Sequence, residues 1–454
     1  MTRSRLALAL VIAALLGIRF ALFAAVHPGR PEALAAPDTP SYEGPAGALL
    51  RRGTFSSSIT APGDPEVTRT PGYPLFIAAV QGVAGPSRAA VVVAQIPLIA
   101  LGLLFLHAGA IRLGFTRNAA LTAVILAGLD PGSLLASQMV LPEALFTVLL
   151  TAMLYCGVRM TEETPGARWW GLATGLALAA ATQVRPITYY FIAPLVLWCW
   201  AACRLAGRTR RDALALGTLV LLPWLVLVGG WQVRNARVFG DATFSQIQNV
   251  NLYRYRGAAV VAAREGITLD DAQALLQKEA DAKELKGPER YRYFKTAGIA
   301  LLRANPGLAL RSTVAGFVRT VLGPGCIDLY MYATGPLPEP GPLSGLAHLS
   351  PVAFWHRWVI PDPTLIVLLV LEGIFLAVLY AGSAATAFGS WSRIRATPAA
   401  HALWWGCAVY LLVVSAGPEA YARFRVPVTP VLACYAAPFV VSALGRANRR
   451  AIHQ

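Results

Sequence analysis

Ten runs of mostly apolar residues punctuate the 454-residue chain, at positions 6–26, 90–111, 119–138, 142–158, 169–183, 188–203, 213–231, 364–388, 399–416 and 426–444. A helix rises 1.5 Å per residue, so about 20 such residues cross the roughly 30 Å of a bilayer's hydrocarbon core. The pattern predicts about ten transmembrane helices. The first run follows Arg3 and Arg5 and reads as a retained signal-anchor helix. Ala33-Leu34-Ala35-Ala36 would suit a cleavage site, but the run is too long for a cleavable signal and contains Arg19.

The polar gaps orient the bundle. Alternate connections hold Arg112 and Arg117, then Arg159 and Arg168, then Arg204, Arg208, Arg210 and Arg211, then Arg393 and Arg395, and finally Arg446, Arg449 and Arg450. The positive-inside rule makes that side, and with it both termini, cytoplasmic. Two long segments fall on the other side, 27–73 and 232–362, too long for turns between neighbouring helices and of the length that carries function. The second holds a polar helical stretch at 269–285 and an amphipathic one at 306–322, whose Arg311 and Arg319 suggest a helix lying along the membrane interface. The expected architecture is an all-α polytopic membrane protein with extracytoplasmic juxtamembrane helices: seven spanning helices in 1–231, an outside region at 232–362, and three spanning helices in 363–454.

Composition agrees. With 56% hydrophobic and 14% charged residues, the chain has far more apolar surface than a soluble core needs. The net charge of +16 would suggest nucleic acid in a soluble protein; here the arginines sit in short gaps between apolar runs, and the charge reads as membrane topology plus phosphate binding, with no nucleic-acid partner. Of the six cysteines all but Cys326 lie inside apolar runs without metal-ligand spacing, so they read as small core residues and neither a disulfide nor a zinc site is expected.

The informative polar residues recur beside the outer membrane face, where an ionisable group is costly without a partner or ligand. Pro37-Asp38-Thr39-Pro40-Ser41-Tyr42 opens the first outside loop and Arg69-Thr70-Pro71-Gly72-Tyr73-Pro74 closes it. Taken alone, Asp38 reads as a helix N-cap. Pro142-Glu143 starts the fourth run, where the helix dipole alone favours an acid. Gln183-Val184-Arg185-Pro186 places an arginine outside, against the positive bias, which favours a bound anion. Trp231-Gln232-Val233-Arg234-Asn235 leaves the seventh run, and Glu419-Ala420-Tyr421-Ala422-Arg423-Phe424-Arg425-Val426-Pro427 enters the last. Their aromatics read as membrane-belt anchors, whereas the planar donor forks of Arg69, Arg185, Arg234, Arg423 and Arg425 suit a phosphate.

In this order the motifs resemble the GT-C superfamily, and more narrowly the bacterial relatives of protein O-mannosyltransferases and of the lipid A aminoarabinose transferase. The resemblance runs from Asp38 to Pro430. It implies a glycosyltransferase that takes a sugar from a polyprenyl-phosphate carrier and places it on a cell-envelope glycan, lipid or protein outside the cytoplasmic membrane, with Asp38 at the catalytic centre. The chain departs from the paired acids of the mannosyltransferases, because Thr39 follows Asp38, and from the Lys-Pro-Pro of the aminoarabinose enzymes, because Arg69-Thr70-Pro71 stands there; the donor sugar is therefore left open.

The chemistry agrees with those residues. A sugar hydroxyl is a poor nucleophile near neutral pH, so a carboxylate, Asp38, must take its proton, with Glu143 as the second catalytic acid. Arg69, Arg185, Arg234, Arg423 and Arg425 are the candidate phosphate ligands, able to stabilise charge on the departing lipid phosphate. Tyr42, Tyr73 and Asn235 are expected to line the substrate. A single displacement inverts the anomeric centre. No outside carboxylate pair suggests a metal, and neither metal nor cofactor is expected. A transporter or lipid-linked-sugar flippase is the alternative, since buried arginines such as Arg19 would also suit a conduit, but duplicated halves and midplane helix breaks are the marks of that class. A non-catalytic envelope scaffold, with Asp38 only a cap, is the third reading.

Overall fold

The computed structural model describes residues 3–57, 64–162, 166–335, 363–389 and 391–452. Among them regular structure is helical apart from one isolated bridge between Ser56 and Pro65. The end of the second outside segment, 336–362, lies outside the described residues.

Among the described residues eight helices are long and apolar enough to cross a membrane: Arg3–Val26, Arg88–Arg112, Glu143–Thr161, Pro186–Leu205, Arg210–Phe239, Pro363–Gly389, Pro398–Ser415 and Thr429–Arg446. Two of the ten apolar runs behave differently. The run 119–138 is broken: Arg117–Leu129 ends at Asp130, which caps the short helix Pro131–Ala136 by accepting from the Ser133 amide at 2.8 Å. Proline has no N–H to continue the ladder, and its ring crowds the preceding turn. The carbonyls this break frees have no water to turn to inside a bilayer. Arg19, fully buried on the first helix, takes one of them, donating to the Gly128 carbonyl at 2.9 Å and to Ser133 Oγ at 3.2 Å. The arginine that made a conduit plausible is therefore a backbone satisfier.

The run 169–183 forms Ala167–Val184, an 18-residue helix whose apolar character is diluted by Arg168, Thr174, Thr182 and Gln183. It packs between Glu143–Thr161 and the 210–224 helix. Gly175 allows that closeness: a Cβ there would stand 2.1 Å from the Val220 carbonyl oxygen. The seventh run is longer than expected, because Arg210–Trp224 passes through a π turn at Leu225–Gly229 into Gly230–Phe239.

The basic connections gather at one end. Arg112 donates to Glu162 at 3.0 Å, Arg159 pairs with it at 2.9 Å, and Arg208 donates to its carbonyl at 2.9 Å. Glu143 lies at the opposite end of the same helix that Glu162 terminates. At the Glu143 end, residues 247–304 fold into a helical lobe with its own core of Tyr253, Ala258, Val261, Leu276 and Phe294. The amphipathic stretch forms Pro306–Leu322, with Leu310, Val314, Phe317, Val318 and Leu322 exposed along one side.

Candidate active site

Asp38 stands at the N-cap of Thr39–Arg52, yet its side chain makes no capping bond. The cap reading of Asp38 is thereby overturned, because both carboxylate oxygens are committed elsewhere. Oδ1 accepts from Arg69 Nη2 at 2.9 Å and Oδ2 from Arg423 Nη1 at 3.0 Å. Arg69 also donates to Ser41 Oγ at 2.9 Å and to the Tyr42 hydroxyl at 3.2 Å, with its guanidinium over the Tyr42 ring at 4.5 Å. Burial raises the Asp38 pKa, but Arg423 and Arg69 outweigh that and hold the carboxyl below its ordinary value. With 41% of its side chain exposed, Asp38 is an ionised acid within reach of solvent.

Glu143 is fully buried, shares Arg423 with Asp38 and joins one more cation, Arg185, to this group. Its Oε1 accepts from Arg185 Nη1 at 2.8 Å and from Arg423 Nε, while Oε2 has no hydrogen-bond partner among the described residues. Arg423 thus spans both acids, and the neighbouring Tyr421 hydroxyl accepts from its Nη1 at 3.4 Å. Three guanidiniums face two carboxylates, so the cluster carries one positive charge in excess. A site of that sign in a low-dielectric surround attracts an anion.

Local sequence explains how these groups meet. In Arg69-Thr70-Pro71-Gly72, the glycine lets the returning chain touch the Gln183-Val184 backbone: a Cβ at Gly72 would stand 2.6 Å from the Gln183 carbonyl carbon. That contact brings Arg69 and Arg185 to one place. Glu66 Oε1 braces the approach, accepting from the Thr68 amide and hydroxyl and from the Arg69 amide at 2.7 Å. Tyr73 is buried beside Tyr42, edge to face at 5.2 Å, and its hydroxyl donates to Gln95 Oε1.

Three of the sequence candidates stand apart from the Asp38 cluster. Arg234 donates to the carbonyls of Glu66 at 2.7 Å and Phe55 at 2.8 Å, and lies over the Trp231 ring at 4.7 Å; it clamps the first loop. Asn235 binds the Thr243 and Phe244 carbonyls. Arg425 is almost wholly buried, pairs with Glu372 at 2.9 Å, and donates to the carbonyls of Thr320, Val321 and Gly323. Their donors close backbone, which the spacing of arginines along the chain does not reveal. Sequence reasoning gave no role to Ser41, Glu66 or Asp328 and only an anchoring role to Tyr421. Ser41 and Tyr421 lie inside the quoted motifs, whereas Asp328 carried no signal. Burial raises its pKa to about 7, with Arg423 opposing and Glu372 adding to the rise.

Residues 87–233 match the protein family described as dolichyl-phosphate-mannose-protein mannosyltransferase. Over 97% of its length the chain superposes on the oligosaccharyltransferase of Archaeoglobus fulgidus in its apo form, with a TM-score of 0.52 at 13% identity. The chain shares the fold of that oligosaccharyltransferase. It spans 52% of the length of that protein. It is also similar, at a TM-score of 0.41 and 15% identity over 57% of its length, to the S. cerevisiae protein O-mannosyltransferase Pmt1-Pmt2 complex bound to the sugar donor, covering 36% of that chain. A third similar structure is ArnT from Cupriavidus metallidurans bound to undecaprenyl phosphate, with a TM-score of 0.42 and 17% identity over 94% of this chain and 77% of that one. No curated protein sequence matches the chain.

Proposed function

We propose that this protein is a glycosyltransferase that moves a sugar from a polyprenyl-phosphate carrier to a cell-envelope acceptor at the outer face of the cytoplasmic membrane. The observation that carries the reading is Arg423 joined to both Asp38 and Glu143, beside Arg69 and Arg185, in a cluster with excess positive charge. The family match over 87–233 supports the reaction class, and the arginines around Glu162 at the far end, which the positive-inside rule assigns to the cytoplasm, support the outer-face placement.

The step is a single displacement. An acceptor hydroxyl gives its proton to the Asp38 carboxylate as its oxygen attacks the anomeric carbon; the bond from that carbon to the carrier phosphate breaks, and the electron pair leaves with the phosphate. Arg423 and Arg185, turning from Glu143, stabilise the charge that grows there. The product is inverted, and the lipid phosphate departs as an anion. Guanidiniums supply the electrostatics without a metal ion. Arg69 holds Asp38 ionised, Tyr42 and Tyr73 form one wall, and Arg234 and Asn235 fix the loops that frame it.

The test supplies purified protein with a panel of radiolabelled polyprenyl-phosphate sugars and a membrane or wall acceptor fraction. Sugar transfer is expected from the wild type and not from Asp38→Asn. Transfer by D38N at the wild-type rate, or retention of the donor's anomeric configuration, overturns the mechanism.

A further inference from the structure

Arg423 reaches Asp38 and Glu143 from a loop, 416–421, that links the spanning helix Pro398–Ser415 to the short 3-10 helix Ala422–Arg425. Loop backbone leaves carbonyls outside any helix ladder, and buried ones need donors. Here three of them meet one side chain. Arg319, on the juxtamembrane helix Pro306–Leu322, donates through Nε to the Ala420 carbonyl at 3.2 Å and through Nη2 to the carbonyls of Pro418 at 3.1 Å and Gly417 at 3.5 Å.

The same helix is pressed onto this loop. A Cβ at Gly316, one turn before Arg319, would stand 1.8 Å from the Gly417 carbonyl oxygen, so a glycine is what lets the two backbones meet. At the end of the helix the carbonyls of Thr320, Val321 and Gly323 accept from Arg425, two residues beyond Arg423. The Val321 carbonyl also accepts from the Tyr380 hydroxyl at 2.6 Å, which ties the helix to the spanning helix Pro363–Gly389. The turn that carries Arg423 is therefore pinned to one helix on both sides, by Arg319 at 417–420 and by helix-end carbonyls at Arg425.

We propose that Arg319 is a positioning residue for phosphate recognition: it fixes the 417–420 backbone and so holds the Arg423 guanidinium where it can exchange Glu143 for the carrier phosphate. The donors of Arg319 are spent on backbone, and its effect reaches the substrate through Arg423. A planar fork meets several carbonyls at once, a geometry that the point-like ammonium of lysine does not reproduce. Charge-assisted hydrogen bonds depend steeply on distance and angle, so a shifted loop weakens the grip on a phosphate more than the packing of an apolar chain. This inference deepens the glycosyl-transfer reading and rests on it for the role of Arg423 as a phosphate ligand.

The experiment compares the affinity of full-length protein in detergent for undecaprenyl phosphate and for undecaprenol, the same chain without the phosphate, so that the ratio reads the placement of the cations. The wild type is expected to prefer the phosphate. Arg319→Gln should lower that preference at least about tenfold, the worth of one charge-assisted hydrogen bond, with undecaprenol binding unchanged. Arg319→Lys should lower it by less, and decides in the same way if R319Q does not fold. Because Arg319 acts through Arg423, adding R319Q to Arg423→Gln should cost no further preference. Wild-type preference in either Arg319 variant, an equal fall in undecaprenol binding, a further loss in the double variant, or a wild type blind to the phosphate overturns the proposal. A wild type that prefers the phosphate yet transfers no sugar from the radiolabelled panel refutes the glycosyl-transfer reading alone, and the variants still decide Arg319.

Discussion

Arg423 Nη1 and Asp38 Oδ2 meet at 3.0 Å although 385 positions of chain separate them. The contact joins the first loop after the first spanning helix to the entry of the last. A carboxylate from the first loop is thereby set against a cation near the last spanning helix, and the four tests below follow from that arrangement and its supports.

Replacing Asp38 by asparagine keeps the shape and removes the proton acceptor. Sugar transfer should fall by about 10²–10⁴, the usual contribution of a general base, with the thermal unfolding profile retained. Because Arg423 and Arg69 hold the carboxyl below its ordinary value, Asp38 is ionised throughout the neutral range. Its protonation should therefore cost no activity until the pH falls below the usual carboxylate range. A rate that titrates with Asp38 near neutrality contradicts this.

Glu143→Ala leaves the guanidiniums of Arg185 and Arg423 without their buried partner. Removing one member of such a pair costs about 3–5 kcal/mol, so thermal unfolding in detergent should shift downward sharply. Arg425→Leu should destabilise similarly by stranding Glu372, whereas the double change Arg425→Leu with Glu372→Leu should recover part of the loss. Full additivity in that double-mutant cycle argues against a coupled pair.

Gly72→Ala puts a methyl group where the Gln183 backbone stands 2.6 Å away. Overpacking of this kind costs about 1–3 kcal/mol. It should also part Arg69 from Arg185, so that donor KM rises. An unchanged KM would show that the close approach does not set the cation geometry.

Asp328 titrates at about 7 beside Arg423. Its folded pKa is raised, so it is neutral below that value and ionises as pH rises through it. The added negative charge should oppose phosphate binding, and donor KM should climb above pH 7. Asp328→Asn should flatten that climb while leaving the low-pH KM in place, a comparison that steady-state kinetics across pH 6–8.5 resolves.

What the chain alone determined is the membrane class, eight of the ten spans, and the order of motifs at one face. Long apolar runs must be helical in lipid, and arginine-rich gaps must lie on one side, so local composition suffices for both. The break at Asp130-Pro131 is marked in sequence by an acid followed by a proline, but the apolar residues on both sides make 119–138 read as one span. Tertiary structure decided which arginines join the Asp38 cluster. Arg69, Arg185 and Arg423 look no different in sequence from Arg234 and Arg425, yet the last two spend their donors on the carbonyls of Phe55, Glu66, Thr320, Val321 and Gly323. A buried guanidinium goes wherever unpaired oxygens are left over, and those oxygens are fixed only once the chain has folded back on itself.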